Sequence, residues 1–284
     1  MIVLLMMHTI YAVELTRTIE KKIDIPNHGL LQVENQFGSI NIDGRNKKGC
    51  EIEFNIRIKS KNKKLVEKLI EEIQLKIDEQ GNQYHVKVKD LDEEDFSGSI
   101  EFTYNIKCHE SIALRLSNRF GTITANNFKS LVELVNMNGT IKAENHANLQ
   151  VSNRFGSVFV SGLKGDGKIS NANGVIDINN CHGKISITNA FGNTKIANCA
   201  GLINIRCQNG NLELEKLTGE KFTCTNNFGN ITATDISADS RFRCRNGNID
   251  LTRHNGGLEL ATEFGSVTLL DINGDLNIRS RNSS

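Results

Sequence analysis

One short turn recurs along most of this chain at a nearly fixed interval. Phe120-Gly121, Asn138-Gly139, Phe155-Gly156, Asn173-Gly174, Phe191-Gly192, Asn209-Gly210, Phe228-Gly229, Asn246-Gly247 and Phe264-Gly265 mark it, with glycine spacings of 18, 17, 18, 18, 18, 19, 18 and 18. Asn282-Ser283 follows after a further 18. That period is too short for a pair of helices and fits one coil of a β-solenoid.

Each unit resolves into two strands. Apolar residues stand two and four positions after the glycine, as in Ile123/Ala125, Val158/Val160, Ile176/Ile178 and Ile249/Leu251. A mostly apolar set follows at seven positions: Phe128, Leu163, Cys181, Cys199, Leu217, Ile236 and Ile272. The second strand repeats the alternation, as in Leu149/Val151 and Ile203/Ile205. Period-two alternation puts these on one inward face.

The same parity carries an asparagine three residues before most glycines: Asn118, Asn136, Asn153, Asn171, Asn189 and Asn226, with Cys207, Cys244, Thr262 and Ser280 completing the row. Coils stacked at about 4.8 Å let identical amides hydrogen-bond along the stack, so the row is expected to be a structural ladder. The turn residue alternates between Phe and Asn. A phenyl ring on every coil would be crowded at that spacing, and a smaller residue in alternate coils is expected to make room. Glycine suits a bend with φ > 0 or close backbone approach. The chain has 24 Gly and 1 Pro, as expected where stacked coils need their N–H donors.

The motif also occurs once earlier, at Leu31, Val33, Asn35, Phe37 and Gly38, 83 residues before Gly121. Between them Glu51–Lys59 alternates as a strand. Asn62–Gln74 places Leu65, Leu69, Ile70 and Ile73 on one helical face. Leu75–Lys89 reads as a hairpin turning at Gly81-Asn82, and Ile100–Lys107 as another strand. The expected organisation is all-β: residues 13–284 form a single β-solenoid domain of about 18 residues per coil. An insertion at 43–110 caps the N-terminal end, and the main array spans 111–284. Residues 1–12 end in Ala12 after an apolar run and resemble a secretory signal peptide, although a basic leader is missing; a buried first strand is the alternative. Export is the expectation, with no transmembrane segment in the mature chain.

These features resemble a bacterial adhesin-like family of unknown function, whose members are also described as auto-transporter head domains. The resemblance rests on the leader, the GSINI strand, the strand-helix-strand insertion, the segment FTYNIKCHESIALRL and the repeated N-x-[FN]-G-x-[IV] coils, and covers residues 13–284. Lys107-Cys108 replaces the family's usual Val-Pro, a departure affecting one turn. The resemblance implies an exported β-solenoid and brings no catalytic residues with it.

Chemistry is sparse. Lys+Arg 34 against Asp+Glu 33 leaves a net charge of +1, which excludes a strong global attraction to nucleic acid. Asp177 and Asp250 share an outward register four coils apart, roughly 19 Å at the strand spacing and too far for a glycosidase pair. No catalytic, cofactor or metal residues are assigned. His146 and His254 occupy the inward position seven after a glycine and read as corner residues. Cys181 and Cys199, on adjacent coils, fall within disulfide range, with two small core residues as the favoured alternative. Arg119, Arg154, Arg245 and Arg281, two before the glycine position, and Arg206, Arg243 and Arg279, four before it, share an outward face. That stripe could meet an acidic polysaccharide or lipid head group, but a solvated face that blunts aggregation is favoured. The reading is a non-enzymatic envelope or surface protein, adhesin-like or a scaffold, whose partner is an envelope polysaccharide or another surface protein. A bactofilin-like polymerising solenoid and a polysaccharide-active enzyme are the alternatives.

Overall fold

A computed structural model describes residues 12–89 and 96–282. Apart from Ala12, the leader-like segment lies outside the described residues. The chain is a β-solenoid of about nine turns with ~18 residues per coil, and its described residues are 75% strand with a single short helix among them.

The early copy of the motif forms the first rung. Strands β2 (Leu30–Phe37) and β3 (Ile40–Arg45) flank Gly38 and pair in parallel with β8 (Ala113–Phe120) and β9 (Ile123–Asn138). Asn35 thus faces Asn118, and Ile40 faces Ile123, across the long excursion. Within it, β7 (Gly98–His109) runs parallel to β3, β4 (Cys50–Ser60) antiparallel to β7, and β1 (Val13–Ile23) antiparallel to β4. The second side extends likewise through β6 (Gln83–Val88), parallel to β2, and β5 (Leu75–Gln80), antiparallel to β6. Strand β1, which the sequence reading does not include, carries its signal in the alternation of Val13, Leu15, Ile19 and Ile23 with polar neighbours.

Helix α1 (Lys63–Glu72) forms where the periodicity placed it. The Asn62 side chain accepts a hydrogen bond from the Leu65 N–H at 3.2 Å, and Val66, Leu69 and Ile70 are buried. Its far end is closed from another element: Arg17 Nη1 donates to the carbonyls of Ile70 and Glu71 at 2.9 and 3.1 Å. A cation is favourable at the negative end of a helix.

Beyond β9 the array continues as twelve strands from Ile141 to Ser280. Pairing is rung on rung and parallel, so Ile123, Ile141, Val158, Ile176, Thr194, Leu212, Ile231, Ile249 and Val267 form one column. Up to Leu251 on the first strand and Leu260 on the second, the inward registers named from the sequence are buried. In the last described coil they open: Leu276 and Ile278 are exposed, and Val267, Leu269 and Ile272 are only partly buried.

Three details differ from the expectations. First, the ladder amides do not bond to one another. Each Nδ2 donates to the turn-glycine carbonyl of the preceding coil: Asn118 to Gly38 at 2.9 Å, Asn136 to Gly121 at 2.9 Å, Asn153 to Gly139 at 3.3 Å, Asn171 to Gly156 at 3.0 Å, and Asn226 to Gly210 at 2.9 Å. The bend turns a carbonyl inward with no strand partner, and a buried acceptor needs a donor. Cys244 fills the same role with its thiol, 3.4 Å from the Gly229 carbonyl. Second, the turn phenylalanines are not packed inside. Phe120, Phe155, Phe191, Phe228 and Phe264 are 40 to 53% exposed. Nor does bulk forbid them on adjacent coils: Phe37 and Phe120 stack with centroids 5.6 Å apart and planes within 7°. Packing therefore does not impose the Phe/Asn alternation. Third, every regular coil has a further corner six residues after the glycine in the left-handed region. It holds Asn127, Asn145, Gly162, Asn180, Asn198, Lys216, Asp235, Arg253 and Asp271. The run of Asn, Asp and Gly in that register was the available signal.

Candidate functional site

The two flat sides of the array carry opposite charge. On the first-strand side, the outward rows hold Lys142 and Lys195 against Glu144, Asp177, Glu213, Glu215 and Asp250, two cations to five carboxylates, a net of −3. Pairing confirms that Asp177 and Asp250 share a row, reached through Lys195, Glu213 and Thr232. Four coils still separate them, so they do not form a reactive pair. In the rows two, four and six residues before the glycine position, the second-strand side holds Arg115, Arg119, Arg154, Lys168, Arg206, Arg241, Arg243, Arg245, Arg279 and Arg281 against Glu133, Glu259 and Glu263, and the row at the start of those strands adds Lys184 and Lys221 against Asp239. Ten cations to three carboxylates leave +7 in those three rows of a chain whose total is +1. A near-neutral composition concealed two fields of opposite sign.

Each of the three carboxylates is already matched by the arginine one coil below. Arg115 pairs with Glu133 at 2.7 Å, Arg241 with Glu259 at 2.6 Å and Arg245 with Glu263 at 3.1 Å. These are exposed pairs of small worth to stability. Their effect on the field is larger, because they use up the anions of those three rows. Arg119, Arg154, Lys168, Arg206, Arg243, Arg279 and Arg281 form no ion pair among the described residues. The arginine stripe read from the sequence therefore exists as one face, with Arg245 neutralised and Lys168 added. Arg243, Arg245, Glu263, Arg279 and Arg281 line a cleft of about 500 Å³ toward its C-terminal end.

The exposed phenylalanines edge this face. The Arg119 guanidinium lies over the Phe120 ring, 5.4 Å from its centroid, and Arg154 over Phe155 at 5.3 Å. Between successive rings stands an asparagine whose Nδ2 is turned back to the chain: Asn173 to the Arg154 carbonyl at 3.4 Å, Asn209 to Ala190 at 3.5 Å and Asn246 to Asn227 at 3.5 Å. Each amide oxygen is left to face outward as an acceptor. The edge thus alternates ring and acceptor, coil by coil.

The titratable groups of the core serve packing. His146 is buried beside Phe128, its ring nearly parallel at 6.1 Å and its Nε2 donating to the Ala125 carbonyl at 2.9 Å. Burial pushes its pKa down to about 4. His254 is buried too, and burial lowers its pKa. A histidine kept neutral in the native state stabilises fully above its unfolded pKa of about 6.5 and loses that contribution as pH falls toward 4. His146 alone is expected to take away about 3 kcal/mol over that interval. Urea midpoints from pH 7 to 4 check this, and His146→Leu should flatten the decline; an unchanged slope would show the acid sensitivity to lie elsewhere.

Cys181 and Cys199 are unbridged, buried thiols on consecutive rungs. Their thiols donate to the Asn179 and Ala197 carbonyls at 3.3 and 3.2 Å, and the closeness of the two sulfurs holds the Cys181 thiol low and pushes the Cys199 thiol up. Cys50 and Cys108, which the sequence did not bring together, are both buried, and the neighbouring Cys50 together with burial raises the Cys108 thiol. Among the described residues no three His, Cys, Asp or Glu side chains converge to hold a metal ion. No described helix is long and apolar enough to cross a membrane.

No family model and no curated protein matches the chain. Solved structures do. A candidate cell adhesion protein from Clostridium sporogenes is 11% identical over 90% of this chain and 99% of its own, with a TM-score of 0.35. A candidate adhesin from Bacteroides fragilis is 10% identical over 93% and 97%, with a TM-score of 0.26. A candidate lipid binding protein from Parabacteroides distasonis is 12% identical over 93% and 96%, with a TM-score of 0.30. The chain is a β-solenoid whose structural neighbours are bacterial proteins, adhesin candidates among them.

Proposed function

We propose that this protein is a non-enzymatic, exported cell-envelope or surface protein, an adhesin-like or scaffold solenoid that presents one long face to a partner. The observation that carries the reading is the second-strand side. Seven cations without ion pairs are held there on parallel rungs, and every carboxylate of their own rows is already matched. Stacked backbone hydrogen bonds make such a face rigid, so binding it would cost little ordering. In this reading residues 13–284 act as one domain, and the strands and helix within 43–110 close its N-terminal end against edge pairing.

Cell fractionation tests the reading. The chain is expected in the periplasmic or outer-surface fraction, processed near Ala12. Retention in the cytoplasm as sedimenting filaments would replace it with the cytoskeletal alternative.

A further inference from the structure

We propose that the second-strand face binds a linear acidic polysaccharide laid along the solenoid axis, one in which an acidic sugar alternates with a neutral one. The inference deepens the surface-presentation reading and rests on it.

The spacing of charge selects this ligand class. The cations without ion pairs begin at Arg119 and continue through Arg154, Lys168, Arg206, Arg243, Arg279 and Arg281, on the first, third, fourth, sixth, eighth and tenth coils of the main array, the last two sharing the tenth. Nine coil steps at about 4.8 Å span roughly 43 Å, so the seven cations stand about 7 Å apart along the axis on average, with most occupied coils two steps apart. Duplex DNA carries a charge about every 1.7 Å of axis, so it would leave most phosphates unanswered. Two pyranose units end to end cover about the span of two coils. A glycan with a carboxylate on every second sugar therefore meets the cations nearly in register, and guanidinium forks suit carboxylates.

The aromatic edge has the same period. Phe120, Phe155, Phe191, Phe228 and Phe264 recur every second coil, with Asn138, Asn173, Asn209 and Asn246 between them. Because Phe37 and Phe120 stack on neighbouring coils, packing does not require the interruption. A sugar polymer presents apolar C–H faces and hydroxyl edges in turn. Half-exposed rings alternating with amide acceptors match that pattern. A membrane surface would favour an unbroken apolar row. A second copy would bring like charges together, which costs binding energy.

The test uses the purified chain with hyaluronan, whose carboxylates recur at every second sugar, beside duplex DNA, vesicles rich in anionic lipid and a neutral glycan. Hyaluronan is expected to bind at low salt, to gain affinity with length up to about five disaccharides, and to weaken as salt rises. Combining Arg119→Gln, Arg154→Gln, Arg206→Gln and Arg243→Gln should weaken binding at least about tenfold. Lys142→Gln with Lys195→Gln, on the opposite side, should leave it unchanged. Phe191→Ala with Phe228→Ala should weaken it even in high salt, because stacking is not screened. No binding of hyaluronan, equal loss from the opposite-side variant, or tighter binding of DNA or vesicles would each overturn the proposal. Fractionation is a separate readout: a chain that is exported yet ignores hyaluronan ends the glycan assignment and leaves the surface reading standing.

Discussion

Gly192→Ala is expected to destabilise the solenoid by at least about 3 kcal/mol, against about 1 kcal/mol for Gly81→Ala. Both glycines have positive φ, +123° and +59°. A side chain in that region costs about 1–2 kcal/mol at either position. They differ in what a Cβ would meet. At Gly81 nothing lies within 4 Å, whereas at Gly192 the added carbon would sit 2.3 Å from the Gly174 carbonyl oxygen. That oxygen belongs to the rung below and cannot turn away freely, because it accepts the Asn189 amide at 3.1 Å. The rung above is tied as well: the Gly192 N–H donates to the Asn209 carbonyl at 2.8 Å. Relief would have to come from separating coils, which breaks strand hydrogen bonds on both sides. Urea unfolding of the two variants against the parent measures the difference. Equal losses would mean that the turn glycine serves backbone conformation alone and that the coils have slack.

The array was readable from sequence because one physical constraint acts on it repeatedly. Parallel stacking puts equivalent residues in contact, so the inward columns and the turn glycine recur at the coil period. The excursion was readable for a different reason. Helix α1 and the hairpin are local structures announced by periodicity and by Gly81-Asn82. How β7, β4 and β1 are shared out along one side of the first rung is a pairing of distant segments, which leaves no local mark. The asparagine row shows the same boundary. That Asn118 and Asn136 point inward follows from parity, but their acceptors are carbonyls exposed by the shape of the bend, and a linear sequence does not display them. The expected crowding of the phenylalanines follows from bulk alone, whereas the corner geometry turns their rings to solvent. The two charged faces were present in the registers all along. What the sequence lacked was the knowledge that Glu133, Glu259 and Glu263 sit one rung from arginines and cancel them.

Asn189→Asp is expected to be worse than Asn189→Ala at neutral pH and close to it in acid. The Asn189 Nδ2 reaches the Gly174 carbonyl at 3.1 Å, the Gly192 carbonyl at 3.0 Å and the Thr194 hydroxyl at 3.1 Å, in a fully buried site. Alanine removes the donor and strands two buried carbonyls, a loss of about 3 kcal/mol. Aspartate puts a carboxylate against the same oxygens. An unpaired buried charge facing acceptors costs about 3–5 kcal/mol, and the native state would respond by raising the pKa of the new carboxyl. The sign then follows. The unfolded carboxyl titrates near 3.9, so below about pH 4 both states hold the proton and the charge penalty is absent. As pH rises through that value, the unfolded chain releases its proton first, and stability falls until the native pKa is passed. Urea midpoints of the two variants should nearly coincide at pH 4 and separate by at least about 2 kcal/mol at pH 7. A gap that does not change with pH would show that the aspartate had escaped to solvent. The rung would then be loose enough to open at the turn, and the same looseness would undercut the rigidity on which the presented face depends.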